Sequence, residues 1–133
     1  MNILAVDYGE KNIGLAFADS DIKLPLSLPP LRVESETDAM REIEKIVKEK
    51  NIQRIVFGLP LTFQFEETEA CEKIRKFSRK ISGKLGIQAA FVNEVLTSTL
   101  AARLKESSRE THSSSALIIL EDYLNRFDEH LSR

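Results

Sequence analysis

The run Ile3-Leu4-Ala5-Val6, closing on Asp7, restricts what this chain can fold into more than any other stretch of it. Four consecutive apolar residues cannot alternate between a wet and a dry face. They describe a strand covered on both sides, such as the central strand of a layered α/β sheet. A carboxylate where such a strand emerges is held in direction by the sheet and can ligate a divalent cation. The competing reading is an aspartate that caps the turn at Gly9. The segment alone leaves both open.

The pattern downstream supplies the remaining layers. After the turn Tyr8-Gly9-Glu10-Lys11, residues 13–18 form a second strand, and the short connection predicts an antiparallel hairpin. Residues 23–33 read as an extended segment whose three prolines place it at a sheet edge. Ser35 followed by Asp38 resembles a capping box, and Met40, Ile43, Ile46 and Val47 form one helical stripe. Residues 52–58 read as a strand running into a loop at Gly58-Leu59-Pro60. From about residue 66 to 85, Ala70, Ile74, Phe77, Ile81 and Leu85 recur at helical spacing, with Gly86 as the stop. Residues 87–92 read as a strand, 98–105 as a short helix and 107–114 as a polar loop. A last helix from about Ser115 carries Leu117, Leu120, Leu124, Phe127 and Leu131. This order predicts an α/β fold with a sheet of mixed direction.

A chain of 133 residues suits one core, so residues 1–133 are expected to form one domain. The 42% hydrophobic and 30% charged content excludes a disordered chain. No apolar run is long enough for a bilayer, and the first residues lack the basic region of a signal peptide, so the expectation is cytoplasmic with no membrane partner. The single cysteine, Cys71, excludes an intramolecular disulfide and a cysteine-based zinc cluster; its place in a helical stripe predicts a core thiol. With a net charge of −2, any nucleic-acid contact must be local.

Glu94 follows the strand 87–92 by two positions, as Asp7 ends the first strand, so two carboxylates can meet at one sheet edge. Metal-assisted phosphodiester cleavage needs such acids. Taken alone, a glutamate there reads equally as a solvated loop residue. His112, in Thr111-His112-Ser113-Ser114-Ser115, is a candidate ligand or proton-transfer group, against a plain surface position. Gly9 permits close backbone approach, and Lys11 can meet a phosphate. Gly58 and Pro60 can line a substrate groove. The basic residues Lys73, Arg75, Lys76, Arg79, Lys80 and Lys84 are interleaved with acids and read as a solvated helix face, whereas Arg103, Lys105 and Arg109 lie closer to His112. The segment from Asp7 to Gly14 also matches, loosely, the phosphate-receiving hairpin of actin-like and sugar-kinase ATPases, a class that needs two such domains.

The motifs Asp7-Tyr8-Gly9-Glu10-Lys11-Asn12-Ile13-Gly14, Gly58-Leu59-Pro60-Leu61, Val92-Asn93-Glu94-Val95-Leu96-Thr97-Ser98 and the run Ser115 to Leu124 together resemble the YqgF/RuvX family over most of the chain. That family is named for Holliday junction resolution and for pre-16S rRNA processing. The resemblance implies an RNase H-like fold, a five-stranded mixed sheet of order 3-2-1-4-5 flanked by helices. It further implies a Mg²⁺- or Mn²⁺-dependent nuclease whose partner is structured RNA or branched DNA, as a monomer or weak homodimer. Asp7, Glu94 and His112 fall at its catalytic positions, with Asp7, Glu94 and Asn93 as metal ligands. Gly9, Lys11, Gly58, Pro60, Thr97 and Arg109 are the expected nucleic-acid contacts. This chain departs from the family where Asp-Glu-Arg becomes Asn93-Glu94-Val95, where an aspartate becomes His112, and where a glycine-bearing loop becomes Thr62-Phe63-Gln64-Phe65-Glu66-Glu67. Each lost carboxylate weakens the hold on a cation. A noncatalytic RNA-binding or ribosome-assembly factor is therefore the rival expectation.

Overall fold

A computed structural model describes residues 1–95 and 108–131, with the side chains of 1–94 and 115–126. Its strands are β1 (Asn2–Asp7), β2 (Asn12–Asp19), β3 (Leu26–Arg32), β4 (Arg54–Leu61) and β5 (Gln88–Val95). Its helices are α1 (Glu36–Glu49), α2 (Glu69–Leu85) and α3 (Ser108–Leu131). The strands lie in the order β3-β2-β1-β4-β5. β1 pairs antiparallel with β2 and parallel with β4, and β4 pairs parallel with β5. This is the expected RNase H-like arrangement.

Local chemistry sets several boundaries. Ser35 caps α1, its hydroxyl accepting from the Asp38 N–H, while the Asp38 carboxylate accepts from the Glu34 N–H. Gly86 ends α2 in the left-handed conformation at φ 67°, the expected stop. β3 is an edge strand, and Pro29 and Pro30 leave it without two backbone donors.

Strand alternation divides the core. Leu4, Val6, Ile13, Leu15, Ile55, Phe57 and Leu59 face α1 and α2, which contribute Ile43, Val47, Ile74, Phe77 and Ile81. Cys71 is buried in that layer as expected, its thiol donating to the Pro60 carbonyl. Ile3, Ala5, Ala16, Ala18, Val56 and Val92 face α3, which buries Ala116, Ile119, Leu120 and Leu124.

Three sequence expectations are corrected. Gly58-Leu59-Pro60 is strand rather than loop, because β5 pairs with it through Leu61. Pro60 is tolerated because its backbone faces away from β5: its carbonyl takes the Thr68 hydroxyl at 3.0 Å instead. β5 likewise continues through Val95, which puts Glu94 inside the strand. Residues 108–114 belong to α3 and not to a loop. The expected short helix at 98–105 lies outside the described residues.

Candidate active site

Alternation carries Asp7, Gly58 and Glu94 to the α3 face, two steps beyond Ala5, Val56 and Val92 on their respective strands. Together with Tyr8, Pro60, Ala70, Ser115 and Ile118 they line a cavity of about 110 Å³ at the C-terminal ends of β1, β4 and β5. Gly58 lies opposite Val92, and Pro60 opposite Glu94. A Cβ on Gly58 would stand 2.5 Å from Cδ1 of Ile119 and 3.8 Å from Cγ of Glu94. The glycine thus lets α3 close on the sheet beside the carboxylates.

Glu94 is the most perturbed group described. Burial, followed by the charge of Asp122 and a hydrogen bond with it, pushes its carboxyl up to about 7, against a smaller opposing pull from Arg126. Its Oε1 is buried with no hydrogen-bond partner among the described residues. Asp122 is itself paired with Arg126 at 3.0 Å, one helical turn away. Such a half-satisfied carboxyl pair beside a cavity is a functional-site signature.

The turn after Asp7 is tightly built. A Cβ on Gly9 would meet the Asn12 carbonyl oxygen at 2.5 Å, and the Lys11 carbonyl accepts from the Val33 N–H at 2.8 Å. Tyr8 packs edge-on against Phe77, with ring centroids 4.3 Å apart. Burial raises the Tyr8 hydroxyl above its ordinary range, helped by Glu36 and Glu10. Lys11 is exposed on this turn.

The structure therefore brings Asp7, Gly58, Pro60 and Glu94 to one cavity, with Gly9 and Lys11 in the adjoining turn. It does not bring Asn93, which alternation turns to the opposite face, where it is exposed. His112 and Arg109 lie in the first turns of α3 rather than in a loop before it; their side chains, and Thr97, lie outside the described residues. The basic row on α2 is largely matched by acids: Lys73 with Glu10, Arg75 with Glu67, Lys76 with Glu72, Lys80 with Glu36 and Lys84 with Glu44. This supports the solvated-face reading. Sequence reasoning missed Tyr8, Ser115 and Asp122. The signal for the last two was an acid seven residues after Ser115, on the same helix face as Ile118 and Ile119.

Among solved structures, RuvC of Thermus thermophilus superposes with a TM-score of 0.62 at 12% identity over 97% of each chain. The fowlpox virus Holliday junction resolvase superposes with a TM-score of 0.59 at 12% identity, covering 95% of this chain and 99% of that one. The fold is thus that of the RuvC-like, RNase H-fold resolvases. A family model described as RuvX, Holliday junction resolvase, matches residues 1–126, and the chain belongs to this YqgF/RuvX family. Relatives from Bordetella pertussis (33% identical, 96% of each chain) and Dictyoglomus turgidum (32% identical, 94% of each chain) bear the name "Putative pre-16S rRNA nuclease".

Proposed function

We propose that the chain is a divalent-metal-dependent phosphodiesterase acting on structured nucleic acid, with the 5′ end of pre-16S rRNA as its substrate. The observation that carries this reading is the placement of Asp7 and Glu94 on one sheet face, at a cavity floored by Gly58. Family membership and the names of the relatives point the same way.

The donors present fit a hard cation such as Mg²⁺ or Mn²⁺: two carboxylates, one with a buried oxygen lacking any partner among the described residues. Asp7 and Glu94 would hold it, and when bound it supplies the Lewis acidity that activates water and stabilises a phosphate leaving oxygen. Among the described residues no three acids, cysteines or histidines form a metal-binding cluster. The protein's own part is positioning. Gly9 lets the turn after Asp7 close on the Asn12 carbonyl, which sets Lys11 beside the cavity to offset phosphate charge, and Tyr8 and Pro60 wall it. His112 takes the proton of the attacking water, and Thr97 and Arg109 hold flanking phosphates.

The test is to incubate purified protein and Mn²⁺ with labelled rRNA precursor and with four-way DNA junctions, comparing wild type with Asp7→Asn. Cleavage of the precursor that Asp7→Asn reduces at least about 100-fold supports the reading. Cleavage of the junction alone would move the substrate to branched DNA. Equal cleavage by both proteins, or none by either, removes the nuclease assignment. The second reading, a noncatalytic RNA-binding or assembly factor, is favoured by His112 in place of an acid. It predicts salt-sensitive RNA binding that is indifferent to Mn²⁺.

A further inference from the structure

Between β4 and α2 the chain exposes two aromatic rings, Phe63 at 67% and Phe65 at 72% of their full accessible surface. Large apolar side chains this exposed need an explanation when they sit together at a site. These do. Pro60 before the loop and Ala70 after it both line the cavity, and Leu61 bridges to Glu67 across the loop's base. With at most about 3.5 Å of chain per residue, Phe63 lies within roughly 10 Å of Pro60.

The loop is held in place by its own backbone. Thr62 donates its N–H to the Glu66 carbonyl and accepts the Phe65 N–H at its own carbonyl. Its hydroxyl accepts from the N–H groups of Gln64 and Glu66, at 3.3 and 3.2 Å. Phe65 sits at φ 62°, a left-handed conformation that a bulky side chain adopts at a cost and glycine would adopt freely. Neither backbone nor core therefore requires the Phe65 ring. Glu66, Glu67 and Glu69 follow the pair in sequence, and Glu67 engages Arg75. Such acidic neighbours disfavour phosphate contact, so a nucleic acid meeting this loop would do so through the faces of its bases.

We propose that Phe63 and Phe65 form a stacking platform for unpaired nucleobases at the rim of the cavity, selecting single-stranded segments beside the scissile phosphate. This rests on the nucleic-acid reading of the site. Base stacking on an aromatic ring is tolerant of sequence and only weakly sensitive to salt, which separates it from the backbone contacts assigned to Lys11 and Arg109.

The test measures binding of the full chain to mixed-sequence single-stranded RNA and DNA carrying 2-aminopurine, and to the matching duplexes, with and without Mg²⁺ and at two salt concentrations. Wild type is expected to quench 2-aminopurine in the single strands. The double variant Phe63→Ala/Phe65→Ala should lose the quench and bind single strands about 10-fold or more weakly with an unchanged salt slope, and duplexes within about twofold. Phe63→Trp should retain the quench. Both positions are exposed, and an unchanged melting temperature confirms that the variants fold. Undiminished single-strand binding by the double variant overturns the platform while leaving the nuclease reading intact. So does a wild-type dimer that the double variant splits, since the rings would then pack on a second copy. No nucleic-acid binding by wild type overturns both.

Discussion

The two faces of the sheet are built from the same strands to different ends. Toward α1 and α2 the strands present Leu4, Val6, Leu15, Phe57 and Leu59, and Phe57 meets Phe77 edge-on with centroids 6.1 Å apart. Toward α3 they present Ile3, Val56 and Val92 interspersed with the small residues Ala5, Ala16, Ala18 and Gly58. Bulk on the first face contributes most of the hydrophobic stabilisation, at roughly 1.5–3 kcal/mol for each large buried side chain. The second face gives up part of that bulk, with no aromatic ring and with Gly58 under Ile119, so that α3 can lie close. On that face the C-terminal ends of β1 and β5 carry carboxylates, Asp7 and Glu94, at one cavity. A sheet with period 2 can therefore assign packing to one side and chemistry to the other without any change of backbone.

The contrast can be broken most severely from the packed side. Phe57→Ala is expected to cost about 3–5 kcal/mol of unfolding free energy in a urea titration, through lost transfer energy and the cavity left behind. From the close-packed side, Gly58→Ala is expected to cost about 1–3 kcal/mol, because its new methyl group falls within 2.5 Å of Ile119. Ile119→Val, which removes the offending Cδ1, should recover part of that loss in the double variant while costing about 1 kcal/mol alone. A Gly58→Ala protein as stable as wild type would show that α3 is not pressed onto the sheet.

Glu94 sharpens the comparison through pH. Its carboxyl is raised from 4.5 to about 7 in the folded protein, so the native state holds the proton more tightly than the unfolded chain does. The associated stability is fully present below pH 4.5 and is lost as pH rises through about 7. Glu94→Gln cannot titrate. Relative to wild type it should gain about 1–2 kcal/mol between pH 4.5 and pH 8, after allowing for partial solvent screening. Parallel melts across that range check this, and a constant difference would remove the perturbation. The smallest effect belongs to the outer surface of the packed side. Lys80→Ala, which breaks the exposed pair with Glu36, should change stability by less than about 0.5 kcal/mol.

What could be read beforehand divides along similar lines. The bounds of β1, the Ser35 cap and the Gly86 stop follow from local chemistry, and the sequence carries them openly. Gly58 and Pro60 predict a loop, because both residue types usually punctuate chains. In the fold, pairing with β5 overrides that tendency, and Pro60 keeps its carbonyl for Thr68. The family resemblance sets Asn93 beside Glu94 as a metal ligand, yet neighbours in a strand point to opposite faces. The polar composition of residues 108–114 predicts a loop, although they belong to a helix anchored by the buried positions after Ser115. The pairing of Glu94 with Asp122 joins positions far apart in the chain and could not be seen before the fold existed.

Pro29 and Pro30 on β3 also bear on how these molecules behave when crowded. An open sheet edge is a template on which another chain can add a strand, and repeated addition is a route to aggregation. At β3 the consecutive prolines have no N–H groups, and the pairing with β2 is already irregular beside them, so the edge offers an incoming strand an interrupted ladder. Growth of the sheet in that direction stalls, and the hairpin that carries Asp7 is shielded from being recruited into it.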